Sequence, residues 1–185
     1  MNLLYVCTYN TERSIAADII TSKKAALAGL DLYVDSAGIN RSMSPRIKSE
    51  MAMALERLGY KVPEHTPRRV TPNDLSDFDL VLCFDQAQKQ TLEQMAGKPI
   101  QTLPEFVSMP RDIREPAHYL RTPATLPPSR LFSIICLITN TSDSTVYENV
   151  LFTYEKTARI IEKHVDLLLK KLTCNSLPCS TQRAG

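Results

Sequence analysis

The chain has no cluster of basic residues, no long apolar run and no paired cysteine spacing, and each gap closes off a class of function. Its 22 Lys and Arg against 20 Asp and Glu leave a net charge of +2, spread along the sequence. That balance argues neither for nor against nucleic acid, and with no basic run nothing in it calls for a polyanion. The longest apolar stretch, Leu131 to Ile138, is broken by Ser133 and falls far short of the ~20 residues that span a bilayer. Met1 to Val6 shows no basic region followed by a long apolar segment, so no secretory leader is read there. Cys7, Cys83, Cys136, Cys174 and Cys179 are odd in number and show no zinc-type spacing. A reducing compartment, no metal and no cofactor follow as expectations. A soluble cytoplasmic protein without membrane or nucleic-acid partners is predicted, its oligomeric state left open.

What the chain does contain is ordinary globular material: 43% hydrophobic and 23% charged residues over 185 positions. That length suits one domain with a full core. We place the domain at residues 1–172 and read Thr173 to Gly185 as a polar, disordered tail.

The first fifteen residues organise the rest. Leu3 to Val6 is a short apolar run of the kind a buried parallel strand shows, and a helical apolar rhythm begins after Ser14 and runs from Ile15 to Ala28. Cys7 to Arg13 therefore connects a strand to a helix. Such a loop aims backbone N–H groups and the positive end of the helix dipole at one point, a ready anion site. A thiol placed there is stabilised as thiolate. Arg13 can grip two phosphate oxygens in fork geometry while Cys7 attacks the phosphorus. The Ser14 hydroxyl is within reach of the sulfur.

Val6-Cys7-Thr8-Tyr9-Asn10-Thr11-Glu12-Arg13-Ser14 resembles the phosphate loop of the low-molecular-weight protein tyrosine phosphatases, V-C-x-G-N-x-C-R-S. The resemblance implies that Asn10 helps to fix the loop. It implies that Thr8, Tyr9, Asn10, Thr11, Glu12 and Ser14 surround the bound phosphate. The chain departs from the pattern at Tyr9, which replaces the family's glycine, and at Glu12, which replaces its second loop cysteine.

Downstream, strand and helix signals alternate. Leu30 to Val34 reads as a second strand with Asp35 to Gly38 as its exit turn, and Pro45 opens a helix that Gly59 closes. A short helical segment from Asp74 to Phe78 precedes a third strand from Asp79 to Phe84. Gln86 to Met95 is helical, and Pro99 to Leu103 reads as a fourth strand. The predicted class is α/β: a four-stranded parallel sheet with helices on both faces and the phosphate loop after the first strand. Cys7, Ser36 and Asp85 each follow a strand, so they meet at one edge. The resemblance adds that Ser36, in an S-A-G segment, and His65 brace the loop.

Expelling an alkoxide or phenoxide calls for a carboxylic acid. Two candidates sit on the proline-bounded loop Pro110 to Pro116: Asp112 and Glu115. Matching the family's aspartate-proline pair to Glu115-Pro116 makes Glu115 the implied acid, with Asp112 as the fallback. The resemblance implies that residues 121–144 are an insertion between the acid loop and the last helix. Leu131 to Ile138 within them is an extra edge strand, a cover for the site or a partner surface. Helical spacing resumes from Tyr147 to Leu172.

The function implied is a phosphomonoesterase, a protein tyrosine phosphatase working through a phosphocysteine on phosphotyrosine protein or small aryl phosphate. Two alternatives stand beside it: a non-catalytic phosphate-binding or interaction protein of the same fold, and, ranked below, an arsenate reductase, which needs further thiols.

Overall fold

The computed structural model describes residues 1–116 and 143–176, with side chains in the second segment from 147 to 174. Four parallel strands, β1 (Asn2–Cys7), β2 (Tyr33–Gly38), β3 (Leu80–Cys83) and β4 (Gln101–Thr102), stand in the order β2-β1-β3-β4. Among the described residues six helices accompany them: α1 (Arg13–Leu27), α2 (Ser49–Arg57), α3 (Pro72–Asp77), α4 (Gln86–Ala96), α5 (Leu103–Phe106) and α6 (Asp143–Ser176).

Alternation along β1 divides the core between the two faces of the sheet. Leu3, Tyr5 and Cys7 pack on one side with residues of α1, α2 and α6, whereas Leu4 and Val6 pack on the other with Leu75 of α3 and Leu92 of α4. Both sides are covered, as a parallel sheet requires. The apolar run from Leu3 to Val6 is fully buried, and truncating such a side chain to alanine costs about 2–5 kcal/mol.

The expected strand, helix and sheet order is present, with four shifts in boundary. β2 begins at Tyr33 and takes in Asp35 to Gly38, the segment read as a turn, because the whole of β1 pairs with it from Asn2↔Tyr33 to Cys7↔Gly38. α2 starts at Ser49 rather than near Pro45, its preceding residue Lys48 being tied by its backbone N–H to the Thr11 carbonyl. β4 keeps only two residues, since Thr102 caps α5 with its hydroxyl and Glu105 completes a capping box. Helix α6 continues to Ser176, past the point where a disordered tail was expected. The Leu131 to Ile138 stretch and residues 177–185 lie outside the described residues.

β1 sits at the point where the strand order reverses, with β2 on one side and β3 on the other. Crevices at such switch points hold ligands at the carboxyl ends of strands. The ends of β1 and β3 deliver Cys7 and Asp85 there.

Candidate active site

The connection from Cys7 to Arg13 closes into a ring whose carbonyls face outward. Ile39 N donates to the Cys7 carbonyl at 2.8 Å, Asn40 N to that of Thr8 at 2.8 Å, and Lys48 N to that of Thr11 at 3.0 Å. His65 Nε2 lies 2.9 Å from the Asn10 carbonyl oxygen, which only accepts, so Nε2 carries the proton. With the oxygens claimed from outside, the backbone N–H groups of Tyr9, Thr11, Glu12, Arg13 and Ser14 have no partner among the described residues. Helix α1 begins at Arg13 without an acidic residue in its first turn or a side-chain cap. Loop amides and helix dipole together make a strong anion receptor.

A relay of hydrogen bonds places the sulfur. Arg68 N donates to Asn10 Oδ1 at 3.1 Å, and Asn10 Nδ2 donates to Ser14 Oγ at 3.0 Å. Ser14 Oγ is thereby occupied as an acceptor, and its hydrogen is available for Cys7 Sγ, 3.0 Å away. The Asn10 backbone N–H also points at the sulfur, at 3.3 Å. Asn10 manages both contacts by adopting a left-handed φ of 58°, a conformation that asparagine tolerates better than other non-glycine residues. The left-handed position in the loop is thus Asn10. Tyr9 has no positive φ and stands half exposed, so the bulky replacement for glycine is accommodated by pointing its ring outward.

Gly38 explains the S-A-G segment. A Cβ there would meet Tyr9 C at 2.7 Å and Asn10 N at 2.9 Å. The strand end and the loop backbone therefore touch directly. Ser36 does something other than the expected loop brace: its hydroxyl donates to Asp18 Oδ2 at 3.1 Å, on α1. It stands two positions before Gly38, with Ala37 between them, and its side chain lies beside the helix rather than the loop.

Arg13 is almost wholly buried and clamped. Nη1 donates to Asp85 Oδ2 at 2.8 Å and to the Ile113 carbonyl at 2.9 Å, while Nη2 donates to Glu115 Oε1 at 2.7 Å and Thr8 Oγ1 at 3.2 Å. Burial works against the charged guanidinium, but the surrounding Cys7, Glu115 and Asp85 more than offset it and raise its pKa. Thr8 and Glu115 are joined as well, at 2.8 Å. Asp112, by contrast, accepts from Gln86 N at 3.2 Å at the start of α4.

Glu12 turns away from the anion site. Lys48 Nζ lies 2.7 Å from its carboxylate and the Tyr154 hydroxyl 3.2 Å, so α6 and the segment before α2 hold that charge outside the ring. Sequence reasoning did not assign roles to Asp85, Gln88, Lys48 or Tyr154. Asp85 uses its other oxygen to cap α4, accepting from Gln88 N at 2.9 Å. Gln88, nearly buried, supports Thr8 through Nε2 at 3.2 Å. An acidic residue between a buried strand and a helix is a legible N-cap signal, and it marked Asp85; nothing local marked the other three.

Beside the loop, reaching it at Thr8, lies a cleft of about 490 Å³ whose lining includes Asp85, Gln88, Asp112, Arg114 and Glu115 and, among the described residues, no aromatic side chain. Cys83, at the end of β3, is buried, and burial pushes its thiol up to about 12, which leaves it inert at neutral pH. The described residues contain no cluster of metal-ligating side chains, and none of the described helices is long and apolar enough to cross a membrane.

Comparison with known proteins places this geometry in context. A Synechocystis sp. protein assigned as a low molecular weight protein-tyrosine-phosphatase is 35% identical over 88 residues, covering 46% of this chain and 55% of the relative. The protein-arginine-phosphatase of Bacillus subtilis is 29% identical over 111 residues, 58% of this chain and 73% of the relative. The chain thus spans between about half and three quarters of the length of these relatives. A crystal structure of the low molecular weight protein tyrosine phosphatase from T. tengcongensis superimposes with a TM-score of 0.71 at 26% identity, covering 92% of this chain and 99% of that one. The family model described as low molecular weight phosphotyrosine protein phosphatase matches residues 2–130, about 70% of the sequence. The chain belongs to that phosphatase family.

Proposed function

We propose that the protein is a cysteine-dependent phosphomonoesterase acting through a phosphocysteine. The observation that carries the reading is the ring of outward carbonyls and unclaimed N–H groups around a sulfur that itself receives two hydrogen bonds. Cys7 sulfur, as thiolate, attacks phosphorus in line with the ester oxygen. The forming S–P bond replaces the breaking P–O bond. Arg13 and the loop amides of Tyr9, Thr11, Glu12 and Ser14 hold the equatorial oxygens, where charge is spread in the transition state.

Glu115 occupies the Arg13 fork in the free protein. An arriving phosphate takes over that guanidinium, and the released carboxyl, in its protonated form, gives its proton to the leaving oxygen. The resulting carboxylate then takes a proton from the water that attacks the phosphocysteine, returning thiolate and inorganic phosphate. Asp112 is tied to the α4 terminus and is the weaker candidate. Asn10, Ser14 and His65 serve to position the loop. Phosphotyrosine protein or a small aryl phosphate is the primary substrate class.

A second substrate reading has its own support. The cleft presents Asp85, Asp112 and Glu115 and no aromatic wall among the described residues, and a relative carries the name protein-arginine-phosphatase. A guanidino leaving group matches carboxylates better than a phenol does. Arsenate reduction is disfavoured by the inert Cys83 thiol. A purely phosphate-binding role remains the non-enzymatic competitor. Hydrolysis of p-nitrophenyl phosphate and of free phosphoarginine, each with vanadate as competitor, tests all of these together. Turnover of either, abolished by Cys7→Ala, supports the enzyme. Phosphate binding without turnover of either supports the binder.

A further inference from the structure

Thr8 stands where the loop meets the cleft, and its side-chain oxygen is shared by three hydrogen bonds. Gln88 fixes the first. Its Oε1 lies 3.0 Å from the backbone N of Phe84, which can only donate, so the amide presents its oxygen to Phe84 and its Nε2 donates to Thr8 Oγ1 at 3.2 Å. Arg13 fixes the second, because a guanidinium has no acceptor and Nη2 must donate to the same oxygen, also at 3.2 Å. A hydroxyl has two lone pairs and one hydrogen. With both lone pairs taken, the hydrogen goes to Glu115 Oε1, 2.8 Å away. The fold thus sets the direction of the Thr8 O–H before any ligand arrives.

The consequence falls on Glu115. Its Oε1 accepts from both Thr8 and Arg13 Nη2, whereas its Oε2 has no hydrogen bond among the described residues. The side chain is 32% exposed, on a loop bounded by prolines. Without a second tether, a side chain placed there spreads over several rotamers once Arg13 lets go. A displacement of ~1 Å from the productive geometry costs about a hundredfold in rate.

We propose that Thr8, oriented by Gln88, is the positioning residue for the acid: its hydroxyl stays on Oε1 when a phosphate takes Arg13 Nη2 away, and so presents Oε2 to the ester oxygen. On the phosphatase reading given above, on which this role rests, the proton on Oε2 passes to the leaving oxygen as the P–O bond breaks and the S–P bond forms. In the second half, a water proton returns to Oε2 as the water oxygen bonds to phosphorus and the S–P bond breaks. Thr8 itself makes and breaks no covalent bond.

The test measures kcat/KM over a series of aryl phosphates from p-nitrophenyl phosphate to phenyl phosphate, since a more basic phenolate depends more on receiving a proton as it leaves. A well-held acid keeps the series nearly level in the parent. Thr8→Val, close in shape but without the hydroxyl, is expected to lose about tenfold or more on phenyl phosphate beyond its loss on p-nitrophenyl phosphate. Thr8→Ser restores the level series. Gln88→Leu, which leaves Thr8 in place, tilts the series the same way to a smaller extent and adds nothing to the tilt in the Thr8→Val background. A merely structural role lowers every substrate by one factor. A Thr8→Val series parallel to the parent's therefore overturns the proposal, as does a Thr8→Ser series as steep as that of Thr8→Val. Glu115→Gln is the reference. If it is steep while Thr8→Val is parallel, the positioning role alone falls; if Glu115→Gln is itself level, the acid assignment falls and the role of Thr8 with it.

Discussion

Arg13 Nη2 and Glu115 Oε1 stand 2.7 Å apart across 102 residues of sequence, so the residue read as phosphate clamp and the residue read as acid hold one another in the free protein. A substrate must exchange with an internal carboxylate to reach the guanidinium. The pair therefore sets both the resting arrangement and the trigger.

Glu115→Gln separates these two effects. Removing the proton donor lowers kcat by about a hundredfold or more. The same change removes a charged competitor for Arg13, so vanadate inhibits the variant more tightly than the parent. Asp112→Asn changes kcat only a few-fold, because Asp112 serves the α4 terminus. Steady-state kinetics on p-nitrophenyl phosphate with vanadate titration checks all three outcomes.

Gly38→Ala tests the contact between the second strand and the loop. The added methyl meets Tyr9 C at 2.7 Å and Asn10 N at 2.9 Å, both backbone atoms that cannot rotate away. Overpacking of this kind costs about 1–3 kcal/mol and moves the amides that face the phosphate. We expect a lower melting temperature together with a loss of phosphate affinity. A variant with unchanged vanadate inhibition contradicts the proposed loop geometry.

Asp18 makes stability depend on pH. Burial pushes its carboxyl from 3.8 up to about 6, and hydrogen bonds from Ser36 and Ser22 only partly counter this. A raised folded-state value means that the protonated form is favoured by folding. Its contribution is complete below about pH 4, fades as pH rises through about 6, and is gone above that. Asp18→Asn therefore raises the melting temperature at pH 8 more than at pH 4, the difference corresponding to at most about 3 kcal/mol. Calorimetry at the two pH values reads it; an equal effect at both contradicts the assignment.

Lys48→Met releases Glu12. With Lys48 gone, only the Tyr154 hydroxyl holds the carboxylate at the edge of the anion ring. The freed charge opposes phosphate in the loop. A several-fold rise in KM with kcat little changed is expected, and Lys48→Met combined with Glu12→Gln restores KM.

Much of this was legible in the sequence because the decisive signals are local. The apolar run from Leu3 to Val6 and the onset of helical spacing after Ser14 each act through neighbouring residues, and they located β1, α1 and the loop between them. Asp85 is legible for the same reason. Residues that work through the tertiary fold were not: Lys48 and Tyr154 reach Glu12 from segments 36 and 142 positions away, and no pattern in either segment announces it. Ser36 shows the opposite error. Resemblance suggested a brace for the loop, whereas the pleat of β2 aims its hydroxyl at Asp18 on α1.

The central claim is that Cys7 forms a bond to phosphorus inside the amide ring. The most direct measurement is rapid acid or alkaline quench during aryl phosphate turnover, with mass spectrometry of the Cys7 peptide. A phosphoryl adduct on Cys7 that forms and decays with turnover, absent in Cys7→Ala together with the activity, is the predicted result. Turnover that persists in Cys7→Ala, or turnover in the parent with no adduct under either quench, contradicts the account.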